Sequence, residues 1–182
     1  MVESIEIREE SPRDFDAVCE LTNAAFSASE FGHNGEAELI DSLRTSSSSL
    51  LSLVASLDKQ VIGHILFTPV SIESESGSLK GMGLAPMSVH PKFQRQGVGT
   101  SLIREGIRQL WSAECQFIAV LGHPDYYPRF GFRPASDWKV SHGFDGIPQE
   151  VFFLLCGAKE SLQSFAGGKA FYSNQFGPQH QV

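Results

Sequence analysis

Val89-His90-Pro91-Lys92-Phe93-Gln94-Arg95-Gln96-Gly97-Val98-Gly99-Thr100 joins an apolar strand to an amphipathic helix, and the fold turns on how it is read. The first turn of a helix leaves backbone N–H groups without partners and carries a partial positive charge. Strand, glycine loop and helix in that order therefore make an anion site. Gly97 and Gly99 let the backbone approach phosphate oxygens with no β-carbon in the way. Arg95 adds a full charge beside them and Thr100 a hydroxyl. A pyrophosphate-bearing cofactor follows from this chemistry. What the loop lacks narrows the choice: a Walker A loop needs Gly-Lys-Ser/Thr, but Gly99 is followed by Thr100-Ser101, and a Rossmann fingerprint needs a small residue where Leu102 stands. Gly-x-Gly alone also serves as a plain helix-capping turn, so the flanking residues decide.

Downstream, Val98, Leu102, Ile103, Ile107, Leu110 and Trp111 recur at helical spacing, with Arg104, Glu105 and Arg108 between them. Phe117 to Leu121 reads as a buried strand, Pro124 to Arg129 as a proline-bounded turn of helix, and Val151 to Cys156 and Lys169 to Tyr172 as closing strands. Upstream, Leu79 to Val89 is a strand containing Gly81, Gly83 and Pro86. Proline cannot donate to a ladder, so Pro86 marks where this strand stops pairing with one neighbour. Leu50 to Leu57, with Leu51, Leu53, Ala55 and Leu57 on one face, and Val61 to Ile72 form a hairpin through Asp58-Lys59-Gln60. Ile5 to Arg8 alternates as a strand. Ser11-Pro12-Arg13-Asp14 then starts a helix carrying Phe15, Val18, Leu21 and Ala25. Gly32 to Gly35 breaks it from a second helix with Leu39, Ile40 and Leu43, and Thr45 to Ser49 is a polar connection into the next strand. The order βαα, hairpin, strand, helix, strands predicts a mixed α/β fold.

The chain has 182 residues, the size of one domain, so residues 1–182 are expected to form a single unit. A formal charge of −7 with no run of Lys or Arg predicts no nucleic-acid partner. Cys19, Cys115 and Cys156 suggest neither a disulfide framework nor a metal site. No basic leader or window of apolar residues long enough to span a membrane is evident, which predicts a cytoplasmic protein with no membrane partner.

The stretch from Val89 to Gly99 resembles the acetyl-CoA signature of the GNAT superfamily of N-acetyltransferases, with Gln94, Gly97 and Gly99 in its places. Tyr127-Pro128-Arg129-Phe130-Gly131-Phe132 resembles the same family's Tyr-x-Lys/Arg-x-Gly-Phe element. The wider string from Gly122 to Phe132 is similar to the bacterial YhbS-like branch of that superfamily. The resemblance implies a central mixed, mostly antiparallel sheet flanked by helices, with a splayed strand pair holding acetyl-CoA as cosubstrate. It further implies that Met87, Ser88 and Val89 pair with the pantetheine arm. Gln94, Arg95, Gln96, Gly97, Val98, Gly99 and Thr100 would then hold the pyrophosphate. One departure stands out: many relatives carry an asparagine about two turns before the tyrosine, where this chain reads Ala119-Val120-Leu121-Gly122-His123.

By the same resemblance Tyr127 is the catalytic residue that protonates the departing CoA thiolate. A phenol with an ordinary pKa near 10 is still protonated at neutral pH, as that role requires. His123, Glu30, Glu36 and Glu38 are candidates for the general base, with none assigned. Trp138, His142 and Phe144, within Asp137 to Phe144, make a candidate acceptor-side loop. The remaining histidines show no metal-ligand spacing, so no metal is expected. The expected activity is direct acetyl transfer to a small-molecule or peptide amine in a ternary complex, by a monomer or homodimer. The alternative is a non-catalytic acyl-CoA-binding or regulatory module. Only the enzyme needs the Tyr127 hydroxyl.

Overall fold

The computed structural model describes residues 5–27, 35–47, 49–157 and 162–180, and among them are nine strands and three α-helices. The strands are β1 (Glu6–Glu9), β2 (Leu51–Leu57), β3 (Gln60–Ser74), β4 (Gly77–Val89), β5 (Phe117–Leu121), β6 (Arg133–Pro134), β7 (Ser141–His142), β8 (Phe152–Cys156) and β9 (Lys169–Phe171). The helices are α1 (Phe15–Ser27), α2 (Glu36–Ser46) and α3 (Val98–Ser112). Hydrogen bonding links the strands in the order β1-β2-β3-β4-β5-β8-β6, with β9 against β3 and β7 against β9. Among the described residues β4/β5 and β7/β9 are the parallel pairs, so the sheet is mixed and mostly antiparallel. The chain divides into two compact units, residues 1–67 with 86–108 and residues 68–85 with 109–182.

In the first unit β1 pairs with β2, and β2 with the start of β3, all antiparallel. The hairpin expected at Asp58-Lys59 is present. Both residues take left-handed φ angles, 48° and 66°, as the tight turns that match strand twist require. β2 is buried on both faces: Ser52, Val54 and Ser56 are covered as well as Leu53 and Ala55, so it is not the one-sided strand that its alternation predicts. α1 starts later than expected, because Pro12–Asp14 forms a 3₁₀ turn first. Asp14 explains this start: its carboxylate accepts from the Ser11 N–H and hydroxyl, at 2.8 Å each, and from both Arg8 guanidinium nitrogens at 2.7 Å. The Arg8 fork, more than any other contact, holds that carboxyl well below the usual range. Val18, Leu21, Ile40 and Leu43 of α1 and α2 belong to this unit's buried set, with Leu53, Ile65 and Phe67 of the strands. α3 seats its first turns on β3 at Gly63, where an added β-carbon would lie 2.8 Å from Val98 Cγ1 and 3.0 Å from Leu102 Cδ1. The helix start therefore packs closely on the strand there.

The second unit is built on β5 and β8, paired antiparallel from Phe117↔Cys156 to Leu121↔Phe152. β4 joins β5 through Met82↔Ile118 and Gly83↔Ala119. This pairing ends three residues before Pro86, in keeping with a residue that has no N–H to donate. The core comprises Val70, Ile72, Leu79, Phe117, Ala119, Trp138, Val140, Phe152, Leu154, Leu162, Ala170 and Tyr172 among others. Its short strands are held by side chains: Gln149 accepts from the His142 N–H at 3.1 Å and donates to the His142 carbonyl at 3.2 Å, standing in for a missing neighbour strand. The helical turn expected at Pro124 to Arg129 is a 3₁₀ turn at Tyr127–Phe130, closed by Gly131 at φ 91°.

Candidate active site

In the first unit the chain leaves β4 at Val89 and makes one 3₁₀ turn, Pro91–Phe93. His90 anchors it: its N–H donates to Ile62 O at 2.9 Å, and its Nδ1 accepts from Lys92 N at 3.2 Å. Two side-chain amides then tie the loop to itself, Gln94 Nε2 to Val89 O at 3.0 Å and Gln96 Nε2 to Lys92 O at 2.9 Å. Arg95 at φ 60° and Gly97 at φ 90° turn the chain into α3. No atom lies within 4 Å of a β-carbon built on Gly97, so the fold itself needs a glycine there for its φ and not for room.

The first hydrogen bond of α3 runs from Ser101 N to Gly97 O at 2.9 Å. The N–H groups of Val98, Gly99 and Thr100 therefore precede the first intrahelical bond. No acidic residue occupies the first turn to cancel the partial positive charge. Gln94, Arg95, Gln96 and Gly97 are exposed, Val98 is buried, and Gly99 and Thr100 are half-buried. Just upstream, Ser88 is buried with its hydroxyl 3.3 Å from that of Thr22 on α1. Strand alternation puts the half-exposed Met87 and Val89 on the opposite face. The first unit thus assembles the ten residues from Met87 to Val89 and from Gln94 to Thr100 into one strand end, loop and helix start.

Tyr127 belongs to the second unit. It is 8% exposed, and its ring meets the edges of Tyr126 at 5.3 Å and Phe132 at 5.7 Å. Burial, with a smaller contribution from Tyr126, pushes its phenol well above the ordinary value. A β-carbon on Gly122 would stand 2.1 Å from Tyr127 Cε2, so the glycine at the end of β5 makes the seat for the ring. Gly122 heads the string that resembles a branch of the family, but its part in seating Tyr127 is not legible in sequence, because a small residue five positions before a tyrosine is too faint a signal.

Of the base candidates, His123 is exposed, and its Nδ1 accepts from Asp125 N at 3.3 Å, as in an ordinary turn. Glu36 and Glu38 lie in the first turn of α2, where a carboxylate suits the helix end, and Glu30 lies outside the described residues. The expected acceptor loop is largely core: Trp138 is 8% exposed beneath the Arg133 guanidinium, and His142 is 3% exposed against Phe152. Burial pushes the Cys156 thiol up to about 11 and raises that of Cys115, so neither is an activated nucleophile. Among the described residues, no three His, Cys, Asp or Glu side chains are grouped to hold a metal ion, and no helix is long and apolar enough to cross a membrane.

Residues 15–132 match the model of the acetyltransferase (GNAT) family. The chain is 43% identical over 122 residues to YjhQ, an uncharacterized N-acetyltransferase of Escherichia coli K12, a match covering 66% of this chain and 67% of the relative. Two crystal structures share the fold over nearly its whole length. The GNAT family N-acetyltransferase YhbS from Escherichia coli, in complex with CoA, superposes with a TM-score of 0.85 at 29% identity, over 97% of this chain and 93% of its own. A GNAT family acetyltransferase from Brucella melitensis, in complex with acetyl-CoA, gives 0.78 at 34% identity, over 96% and 99%.

Proposed function

Because this chain belongs to the acetyltransferase (GNAT) family, we propose that it moves the acetyl group of acetyl-CoA to an amine by direct attack, with both substrates bound at once. The observation that carries this proposal is the start of α3, where three N–H groups ahead of the first helical bond, an exposed Arg95 and a first turn without acidic residues are neighbours in the chain. Phosphate is the ligand such a point favours. The same fold holds CoA in one relative and acetyl-CoA in another.

In this reading the amine nitrogen attacks the thioester carbonyl carbon, the C–S bond breaks, the nitrogen gives up one proton and the sulfur ends with one. Tyr127 serves the sulfur. Its raised phenol keeps its proton at neutral pH, so it can serve the sulfur as a hydrogen-bond donor. It is also a weaker acid than a thiol, whose ordinary value is about 8.5. Its part is therefore a hydrogen bond to the departing sulfur, and a completed proton transfer needs the phenol to be reprotonated in step from the amine side. The raised thiols of Cys115 and Cys156 favour direct transfer over an acyl-enzyme.

Isothermal titration tests the first half of the proposal: acetyl-CoA binds, whereas ATP and NAD at the same concentrations do not. Equal binding of ATP would overturn the cofactor assignment. Release of free CoA on adding a primary amine tests the second half.

A further inference from the structure

Besides Ser173, two buried hydroxyls of the second unit find no hydrogen-bonding group in the protein. Tyr172, one residue past β9, is 6% exposed with its Oη unpaired, and Thr68 in β3 is fully buried with its Oγ1 unpaired. They share a neighbourhood. A β-carbon on Gly83 would stand 2.4 Å from Tyr172 Cε1 and 2.6 Å from Val70 Cγ2, so the ring and Val70 both lie against that glycine. Thr68 precedes Val70 by two residues on the same strand and hence lies on the same face. Tyr127 belongs to this neighbourhood too, close enough that its charge would add to the rise that burial imposes on the Tyr172 phenol.

Everything else about Tyr172 is satisfied. Phe144 and Phe176 flank the ring at 5.5 Å each. The Gln179 side chain accepts from the Tyr172 N–H at 2.8 Å and donates to its carbonyl at 3.0 Å. A phenylalanine would fill the same space without burying an unpaired hydroxyl, which costs about 1–3 kcal/mol. Packing therefore accounts for the ring and not for the oxygen.

We propose that the Tyr172 hydroxyl, with Thr68 on the same face of the sheet, receives the N–H of the acceptor amine. This rests on the transferase reading above. Two neutral hydroxyl oxygens supply no counter-charge, and at a buried position desolvation then disfavours the ammonium ion relative to the uncharged amine. The uncharged form is the one whose lone pair can attack the thioester.

The test compares wild type, Tyr172→Phe and Thr68→Val with three amines, namely butane-1,4-diamine, an amino sugar and a short peptide with a free N-terminus, following CoA release with a thiol reagent. With the amine that responds, Tyr172→Phe lowers kcat/KM about tenfold, the worth of one hydrogen bond, through a higher KM for the amine. The KM for acetyl-CoA stays the same and the Tm is equal or higher. Thr68→Val shows a smaller loss of the same kind. Unchanged kcat/KM for Tyr172→Phe, or a lowered Tm showing that the hydroxyl is needed by the fold, overturns the inference alone. A wild type that binds acetyl-CoA but releases CoA with none of the three overturns the transferase reading, and this inference with it.

Discussion

Gly122 and Tyr127 compete for the same space: a β-carbon at 122 would lie 2.1 Å from Tyr127 Cε2 and 3.1 Å from its Cζ. The Gly122 backbone itself is ordinary, its N–H donating to Val151 O at 2.9 Å without a left-handed φ. Only the ring demands a glycine there. Carbon–carbon contacts settle at about 3.5–4.0 Å, so in Gly122→Ala the ring must retreat by more than about 1 Å. The expected result is a turnover as low as that of Tyr127→Phe, an unchanged affinity for acetyl-CoA and an overpacking cost of about 1–3 kcal/mol. A double-mutant cycle checks the route: if Gly122 acts through the Tyr127 hydroxyl, Gly122→Ala costs no further turnover once that hydroxyl is gone. Additive losses would assign Gly122 another role.

Arg95 sets stability against binding. Its φ of 60° is left-handed, a conformation that costs a residue with a β-carbon about 1–2 kcal/mol. Its side chain is exposed, and nothing in the described fold requires it. Arg95→Gly is expected to gain about 0.5–1 kcal/mol in urea unfolding, part of the relieved strain being lost to the freer unfolded chain. The same change weakens acetyl-CoA binding, and the loss shrinks as salt screens the charge. A variant that binds acetyl-CoA as tightly as wild type at low salt would remove Arg95 from the cofactor site.

His64 makes acid stability a property of one buried chain of contacts. The imidazole is fully buried, with Nε2 2.9 Å from Ser52 Oγ, which donates to Glu10 Oε2 at 2.7 Å, and Arg44 closes on the same carboxylate. Nδ1 has no partner, so the economical tautomer carries its proton on Nε2. Burial, and then the Arg44 charge, push His64 down to about 3. An unfolded histidine takes up its proton near pH 6.5, so between about 6.5 and 3 the unfolded state binds more protons and stability falls as pH falls, by up to about 1.4 kcal/mol per pH unit. Above 6.5 the contribution is fully present. His142 is lowered too, so the wild-type slope holds both, and His64→Phe is expected to flatten it between pH 6 and 4.5. An identical slope in the variant, measured by urea unfolding, would show that His64 does not stay neutral.

The elements that hold the candidate site are legible in sequence wherever one periodicity or one motif sets them. The 3.6-residue recurrence from Val98 to Leu110 marks α3, and Asp58-Lys59 between two apolar runs marks the hairpin. The Gln94 to Thr100 loop is legible for the same reason, because glycine, charge and helix start are neighbours in the chain. Gly122, Gly83 and Tyr172 are not. What a glycine leaves room for depends on which ring the tertiary fold lays over it, and Tyr172 comes to Gly83 from 89 residues away. Nor does the sequence tell how far Trp138 and His142 of the expected acceptor-side loop are buried, beneath Arg133 and against Phe152. β2 fails the alternation test because both of its faces are covered, which lets Ser52 and Ser56 stand inside.

Tyr127→Phe separates an enzyme from a module that only binds acyl-CoA. The substitution keeps the ring contacts with Tyr126 and Phe132 and removes only the oxygen, so stability and acetyl-CoA affinity are expected to hold. The size of the kinetic loss follows from acidity. A positioned general acid that completes its transfer is worth about 10²–10⁴-fold. A phenol pushed above its ordinary value is too weak an acid to protonate a thiolate unaided, so the expected loss is that of one hydrogen bond to a charged sulfur, about 10- to 100-fold. The same rise fixes the pH profile. The donor is lost only when the phenol ionises, and a raised phenol ionises later, so wild-type kcat is expected to show no fall up to about pH 10, where an ordinary tyrosine would already be half ionised. Steady-state CoA release from pH 7 to 10, wild type beside Tyr127→Phe, reads both quantities. A descending limb below pH 9 that vanishes in the variant would mean that Tyr127 is not buried as described during turnover. Equal kcat at every pH, with equal affinity, would leave Tyr127 a packing residue and remove it from the chemistry.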